Sequence, residues 1–139
     1  RKSVAFEQLL FGIMANLAEM TKIAQAFVQH YYTTFDTNRA QLSSLYQAQS
    51  MLTFENDQYM GAEAIGTKLN SLPFRKVAHN ILTLDVQPSG CGGILIVGCG
   101  DLKIDDEPNP LKYTQTFHIM PTQQGSWWVH NDLFRLNIG

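Results

Sequence analysis

The spacing of apolar residues changes from four to two at Phe74, and that switch limits the chain to a short list of folds. Before it, Ile23, Phe27, Tyr31 and Phe35 recur every four residues with Ala24, Val28 and Tyr32 beside them. This is a broad apolar stripe on a helix that begins near Thr21 and ends at Asp36 and Thr37. Thr37 or Asn38 is placed to cap a short second helix carrying Leu42, Leu45 and Tyr46. Residues 51–55 read as a short strand, and Gly61 opens a third helix with Ile65, Leu69 and Leu72 on one side. Pro73 closes it, because proline cannot continue the hydrogen-bond ladder. After the switch, Val77, His79, Ile81 and Thr83 alternate with Ala78, Asn80, Leu82 and Leu84. Further strands are expected over 94–104, 113–120 and 127–137, with turns at 88–90, 105–110 and 121–126. Helices followed by an antiparallel meander make the class α+β, with helices on one face of a sheet and the other face left over.

That spare face matters because the chain is poor in charge. Charged residues are 16% of the 139, against about 25% in ordinary domains, while apolar residues reach 45% and aromatics 11%. Self-association or a lined pocket is the expected use of the surplus. The net charge is −2 and no basic block occurs, which argues against nucleic acid and against an anionic membrane surface as partners. Cys91 and Cys99 are expected as free thiols, and His30, His79, His118 and His130 show no metal-ligand spacing relative to them, so no metal and no cofactor is implied. Arg1 and Lys2 before an apolar segment faintly imitate a targeting signal, but Glu7 interrupts it, and Leu9, Leu10, Ile13, Met14 and Leu17 fall at helical spacing. Residues 1–19 are therefore expected to be an extension, helical or introduced in cloning, and residues 20–139 a single domain.

Catalytic signatures are absent. Gly98-Cys99-Gly100 lies within an expected strand and 90–93 within a hairpin, so neither glycine group can cradle a phosphate at a helix N-terminus. Two features remain. One is an acidic turn of Asp105, Asp106 and Glu107 close to Asp101, whose plain reading is a solvated turn. The other is a pair of polar groups among apolar neighbours, Glu55 after Phe54 and His79 between Val77 and Ile81; a strand histidine of this kind is ordinarily a satisfied core residue.

Six ordered segments change the weight of those features: 27–32 with Phe35-Asp36, 51–55, 71–74, 100–105 and 131–136. In residue type and interval they resemble the nuclear transport factor 2 family over about 120 residues, from Met20 onward. The resemblance implies a cone-shaped fold, with N-terminal helices packed on a strongly bent antiparallel sheet that encloses a hydrophobic cavity, and a homodimer formed through the outer sheet face. It implies a carrier, not an enzyme: a protein that binds the GDP form of the small GTPase Ran and the Phe-x-Phe-Gly repeats of nucleoporins, found in cytoplasm and nucleus and enriched at the nuclear pore.

By the same resemblance a Ran phenylalanine enters the cavity while basic side chains meet carboxylates at its mouth. The matching positions are Glu55, Asp105 and Glu107 for the carboxylates, with Phe54, His79, Leu133 and Phe134 for the cavity and rim. Met20 stands where relatives carry an aromatic residue for repeat binding, so nucleoporin contact lacks the ring-on-ring part. Two other readings stay open: a lyase or isomerase on the same cone, for which His79 with Glu55 is the only pair to nominate, and a dimerising or peptide-binding module. An enzyme would need an acid and a base deep in the pocket, whereas the carboxylates are expected at the entrance.

Overall fold

The computed structural model describes residues 3–137, leaving out the side chains at 13–15. Its first helix, α1, runs unbroken over Val4–Thr37, so the expected helix and the segment before it are one element. Ser3 caps its start, with Oγ accepting from the Phe6 N–H at 3.2 Å. The four-residue stripe is buried as expected: Ala24, Phe27, Val28, Tyr31, Tyr32 and Phe35 all sit in the core. Nearer the start of the helix Val4, Phe6, Leu9, Leu10 and Phe11 are exposed. The following 3₁₀ helix, Arg39–Leu45, begins at Asn38 without a side-chain cap, because Thr37 Oγ1 is turned back to the Thr33 carbonyl at 2.7 Å.

Strand β1 (Tyr46–Phe54) is longer than expected, and it turns at Glu55 and Asn56 into an unexpected short strand, β2 (Asp57–Met60). Helix α2 (Ala62–Asn70) starts from Gly61, whose φ of 90° suits glycine, and buries Ile65 and Leu69. Strands β3 (Val77–Pro88), β4 (Ile94–Ile104), β5 (Leu111–Pro121) and β6 (Trp127–Leu136) then form the meander. All six make one sheet in the order β2-β1-β6-β5-β4-β3. The expectation of a purely antiparallel sheet is corrected at one place: β1 lies parallel to β6, with Leu52 opposite Asp132 and Phe54 opposite Phe134. The meander leaves β6 with a free edge, and β1, from the opposite end of the domain sequence, fills it.

The sheet curves without closing, and the helices pack against it. Tyr31 meets the Phe117 ring edge-on at 4.8 Å, and Phe27 does so at 5.7 Å. A register shift between Ile81 and Thr83 bulges Leu82 out of the β3–β4 ladder. It also overturns the expected alternation, since Leu84 and Val86 now face the side that Val77, His79 and Ile81 face. Opposite the bulge, Gly100 permits the close approach: a Cβ there would lie 2.1 Å from the Asn80 carbonyl oxygen. Gly100→Ala is expected to lower stability by about 1–3 kcal/mol, as an overpacked contact does. Urea unfolding followed by circular dichroism checks this, and a shift in midpoint below that equivalent of about 1 kcal/mol would contradict it.

Candidate functional site

Between the sheet and the helices lies a cavity of about 60 Å³. Its walls are apolar and aromatic: Phe35 from α1, Leu52 and Phe54 from β1, Leu69 from α2, Phe74, Leu102 and Ile104 from β4, and Phe134 and Leu136 from β6. Phe54 and Phe134 stack at 4.8 Å with their planes 9° apart, which follows from their pairing across the parallel ladder. Lys68 Nζ lies 5.3 Å from the Phe54 ring centroid.

Polar groups reach this cavity from below. Asp132 is fully buried, and Tyr46 donates its hydroxyl hydrogen to Oδ2 at 2.7 Å while Gln115 Nε2 donates to Oδ1 at 2.8 Å. Tyr31 lies 2.6 Å from the Tyr46 hydroxyl and 3.3 Å from Asp132, and Tyr32 donates to Gln115 Oε1 at 2.8 Å. Burial raises the Asp132 carboxyl to about 6, with the three hydrogen bonds from Gln115, Tyr46 and Tyr31 acting the other way. Tyr31 and Tyr46 are held well above the ordinary tyrosine range, first by burial and then by the Asp132 charge. The expectation that carboxylates gather only at the entrance is therefore corrected. One lies on the cavity floor, enclosed by its donors, and its parity with Phe134 and Leu136 along β6 was the available signal.

His79 is on a wall of the same cavity, its side chain 2% exposed. It does not pair with Glu55. Its Nδ1 lies 2.8 Å from Asp36 Oδ1, its backbone N–H donates to Oδ2 of the same carboxylate, and its ring stacks on Tyr32 at 4.0 Å. The satisfied core histidine is what the geometry presents.

Glu55 and Asp105 share an unusual feature. They follow the lining residues Phe54 and Ile104, and they are the non-glycine residues with left-handed backbone among those described, at φ 58° and 49°. The Glu55 carboxylate accepts the Leu136 N–H, and its own N–H donates to the Phe134 carbonyl at 3.0 Å. Asp105 Oδ1 accepts the N–H groups of Arg75 and Lys76 at 3.0 and 2.9 Å. Those bonds, the Lys76 one first, hold its carboxyl below the usual carboxylate range. Each acid thus fixes a turn beside the cavity with one oxygen. Glu107 is exposed in the same turn as Asp105, its N–H donating to the Ile104 carbonyl at 3.1 Å.

Leu133 stands apart from the cavity. It is 47% exposed on the opposite sheet face, in a row with Thr116 and Val97. Met20 is half-buried on α1, packed against the edge of the core.

A family profile described as the Nuclear transport factor 2 (NTF2) domain matches residues 23–136. The chain belongs to the nuclear transport factor 2 family. It is 54% identical over 121 residues to nuclear transport factor 2 of Emericella nidulans, covering 86% of this chain and 97% of the relative. It is 53% identical over 116 residues to nuclear transport factor 2B of Arabidopsis thaliana, covering 83% and 92%. The solved structure of nuclear transport factor 2 from Cryptosporidium parvum superposes with a TM-score of 0.82 at 47% identity, covering 86% of this chain and 95% of that one. These relatives are named as nuclear transport factors. Among the described residues no helix is long and apolar enough to cross a membrane, and no group of side chains is arranged to hold a metal ion.

Proposed function

We propose that this chain is a nuclear import carrier that binds the GDP form of Ran at the mouth of the cavity. One observation carries the reading: an aromatic, apolar cavity is flanked by Glu55 and Asp105, two carboxylates whose backbones hold the left-handed conformation. Strain of that kind persists where the surroundings over-determine it, and at binding sites it fixes a group in place. Each acid keeps one oxygen for the fold and presents the other to a partner.

An engineered cavity of roughly 150 Å³ holds a benzene ring. The space here is about 60 Å³, so an entering phenyl ring would displace the stacked Phe54 and Phe134 rings rather than fill a preformed hole. Burying that ring contributes about 1.5–3 kcal/mol, and the acids set register and partner choice. Discrimination between nucleotide states resides in Ran, whose switch segments rearrange with the third phosphate. The buried Asp132 favours no enzymatic alternative, because it is held within this chain's own core by Tyr46 and Gln115.

The outer sheet face forms the homodimer, centred on Leu133 and Val97. Binding of nucleoporin repeats near Met20 completes the carrier, which shuttles between cytoplasm and nucleus and concentrates at the pore. Capture by Ran loaded with GDP or with a non-hydrolysable GTP analogue tests the reading. The GDP form is expected to retain the chain at least about a hundredfold better, which is roughly 2.7 kcal/mol. Equal retention by both forms, or by neither, removes it.

A further inference from the structure

The β3–β4 turn carries a nucleophile and its base. Cys91 is exposed there, and its Sγ lies 3.7 Å from Nε2 of His118 on β5. The other ring nitrogen, Nδ1, lies 3.2 Å from Oδ1 of Asn131 on β6. That amide oxygen can only accept, so Nδ1 carries the proton and Nε2 faces the thiol with a lone pair. His130 approaches the same oxygen through its own Nδ1 at 2.6 Å, and the two imidazole rings lie 5.4 Å apart. Among the described residues, these two histidines are the titratable groups joined to the cluster.

Ser89 completes the arrangement. Its Oγ accepts the N–H groups of Gly93 at 3.0 Å and of Cys91 at 3.5 Å, and it stands 3.3 Å from Cys91 Sγ. With both acceptor positions used, the hydroxyl hydrogen is directed to sulfur, where it stabilises a thiolate. Gly93 makes the approach possible, because a Cβ there would come within 2.8 Å of His118 Nε2 and 2.5 Å of the Ile119 carbonyl oxygen. A thiol, an imidazole and an amide in this order are the parts by which cysteine nucleophiles are activated on unrelated folds.

We propose that Cys91 is a modification site, activated by His118, Asn131 and Ser89 for exchange with a small soluble disulfide. The thiol proton passes to His118 Nε2, and the thiolate attacks one sulfur of the disulfide. A new sulfur–sulfur bond forms as the old one breaks, and its electron pair leaves on the second sulfur. The imidazolium returns the proton to that leaving thiolate. Cys91 is oxidised to the mixed disulfide, and half of the reagent is reduced to a thiol. The site is separate from the cavity, and neither the thiol nor its base lines it.

The test uses the full chain carrying Cys99→Ser, so that Cys91 is the remaining thiol. Its reaction with dithionitrobenzoate, and with oxidised glutathione, is followed from about pH 5.5 to about 9 beside N-acetylcysteine, whose thiol is almost wholly protonated in the acid half of that range. At about pH 6.5 the protein is expected to react at least about tenfold faster than N-acetylcysteine. Peptide mass spectrometry is expected to place one glutathione on Cys91. His118→Gln is expected to bring the rate to within about twofold of the free thiol, with circular dichroism confirming the fold. Should that variant fail to fold, Asn131→Ala, which removes the imidazole's anchor, is expected to lower the acid-side rate in the same direction. A rate that follows N-acetylcysteine across the whole range, or one that neither substitution alters, overturns the proposal.

Discussion

Replacing Asp132 by alanine is expected to destabilise the fold most at about pH 4, where the carboxyl is largely protonated in the folded chain, by about 1–3 kcal/mol for each buried donor left without an acceptor. The loss has a definite origin. Tyr46 donates to Oδ2 and Gln115 to Oδ1, both inside the core, and each is left without its acceptor. Tyr31 keeps the Tyr46 hydroxyl at 2.6 Å, so part of the chain of bonds survives. Asparagine behaves differently, because its oxygen can accept from Gln115 and its volume matches.

The pH dependence isolates the contribution of the carboxyl itself. Asp132 has its folded value raised from 3.8 to about 6 by burial. Below 3.8 the group is protonated in both folded and unfolded chains and contributes nothing to the difference. As pH rises from there, the unfolded chain releases its proton while the folded chain retains it, so stability falls. Above about 6 both are ionised and the penalty is complete, at roughly 3 kcal/mol. The natural chain is therefore expected to lose about that much between pH 4 and pH 7 from this residue, and Asp132→Asn to remove that part of the slope. Urea unfolding at the two pH values measures it. Parallel slopes in the natural chain and Asp132→Asn would show that the carboxyl does not carry the proton.

The first half of the architecture is legible because its signals are local. A four-residue apolar repeat from Ile23 to Phe35 can be buried only by a helix; Phe27, Tyr31 and Phe35 are in the core and Ile23 packs against it. The short strand β2 was not legible, since Asp57-Gln58-Tyr59-Met60 has no apolar alternation and is held by the turn and the β1 ladder. Parallel pairing of β1 with β6 was hidden for another reason: a strand's own pattern fixes which face it buries, but not which neighbour it takes. The bulge at Leu82 changed the face of Leu84 and Val86 by inserting one residue, which no period-two count detects. At the site, the carboxylates of the turns were named from the sequence, whereas the floor of the cavity was not. Asp132 finds its partners 17, 86 and 101 positions away, and such a network exists only after the chain has folded.

The two mouth acids permit the charge requirement of binding to be separated from stability. Reversing Glu55 to lysine confounds the two, because the Leu136 N–H loses its acceptor along with the charge. Glutamine and asparagine retain a carbonyl oxygen at the same reach. Glu55→Gln with Asp105→Asn is therefore expected to change unfolding free energy by less than about 1 kcal/mol each at neutral pH, the worth of one weakened hydrogen bond. Binding to the GDP form of Ran is expected to fall by more, since truncating one side of a desolvated charge pair costs about 2–5 kcal/mol, or roughly thirtyfold to several thousandfold in affinity. A Phe134→Leu control keeps both charges but breaks the ring stack with Phe54 at the cavity wall, so it is expected to weaken binding without changing its dependence on salt. The neutralised pair, by contrast, should lose most of the salt dependence. Calorimetric titration at low and high salt distinguishes the two, and an affinity unaltered by the double substitution would assign both acids to the turns alone.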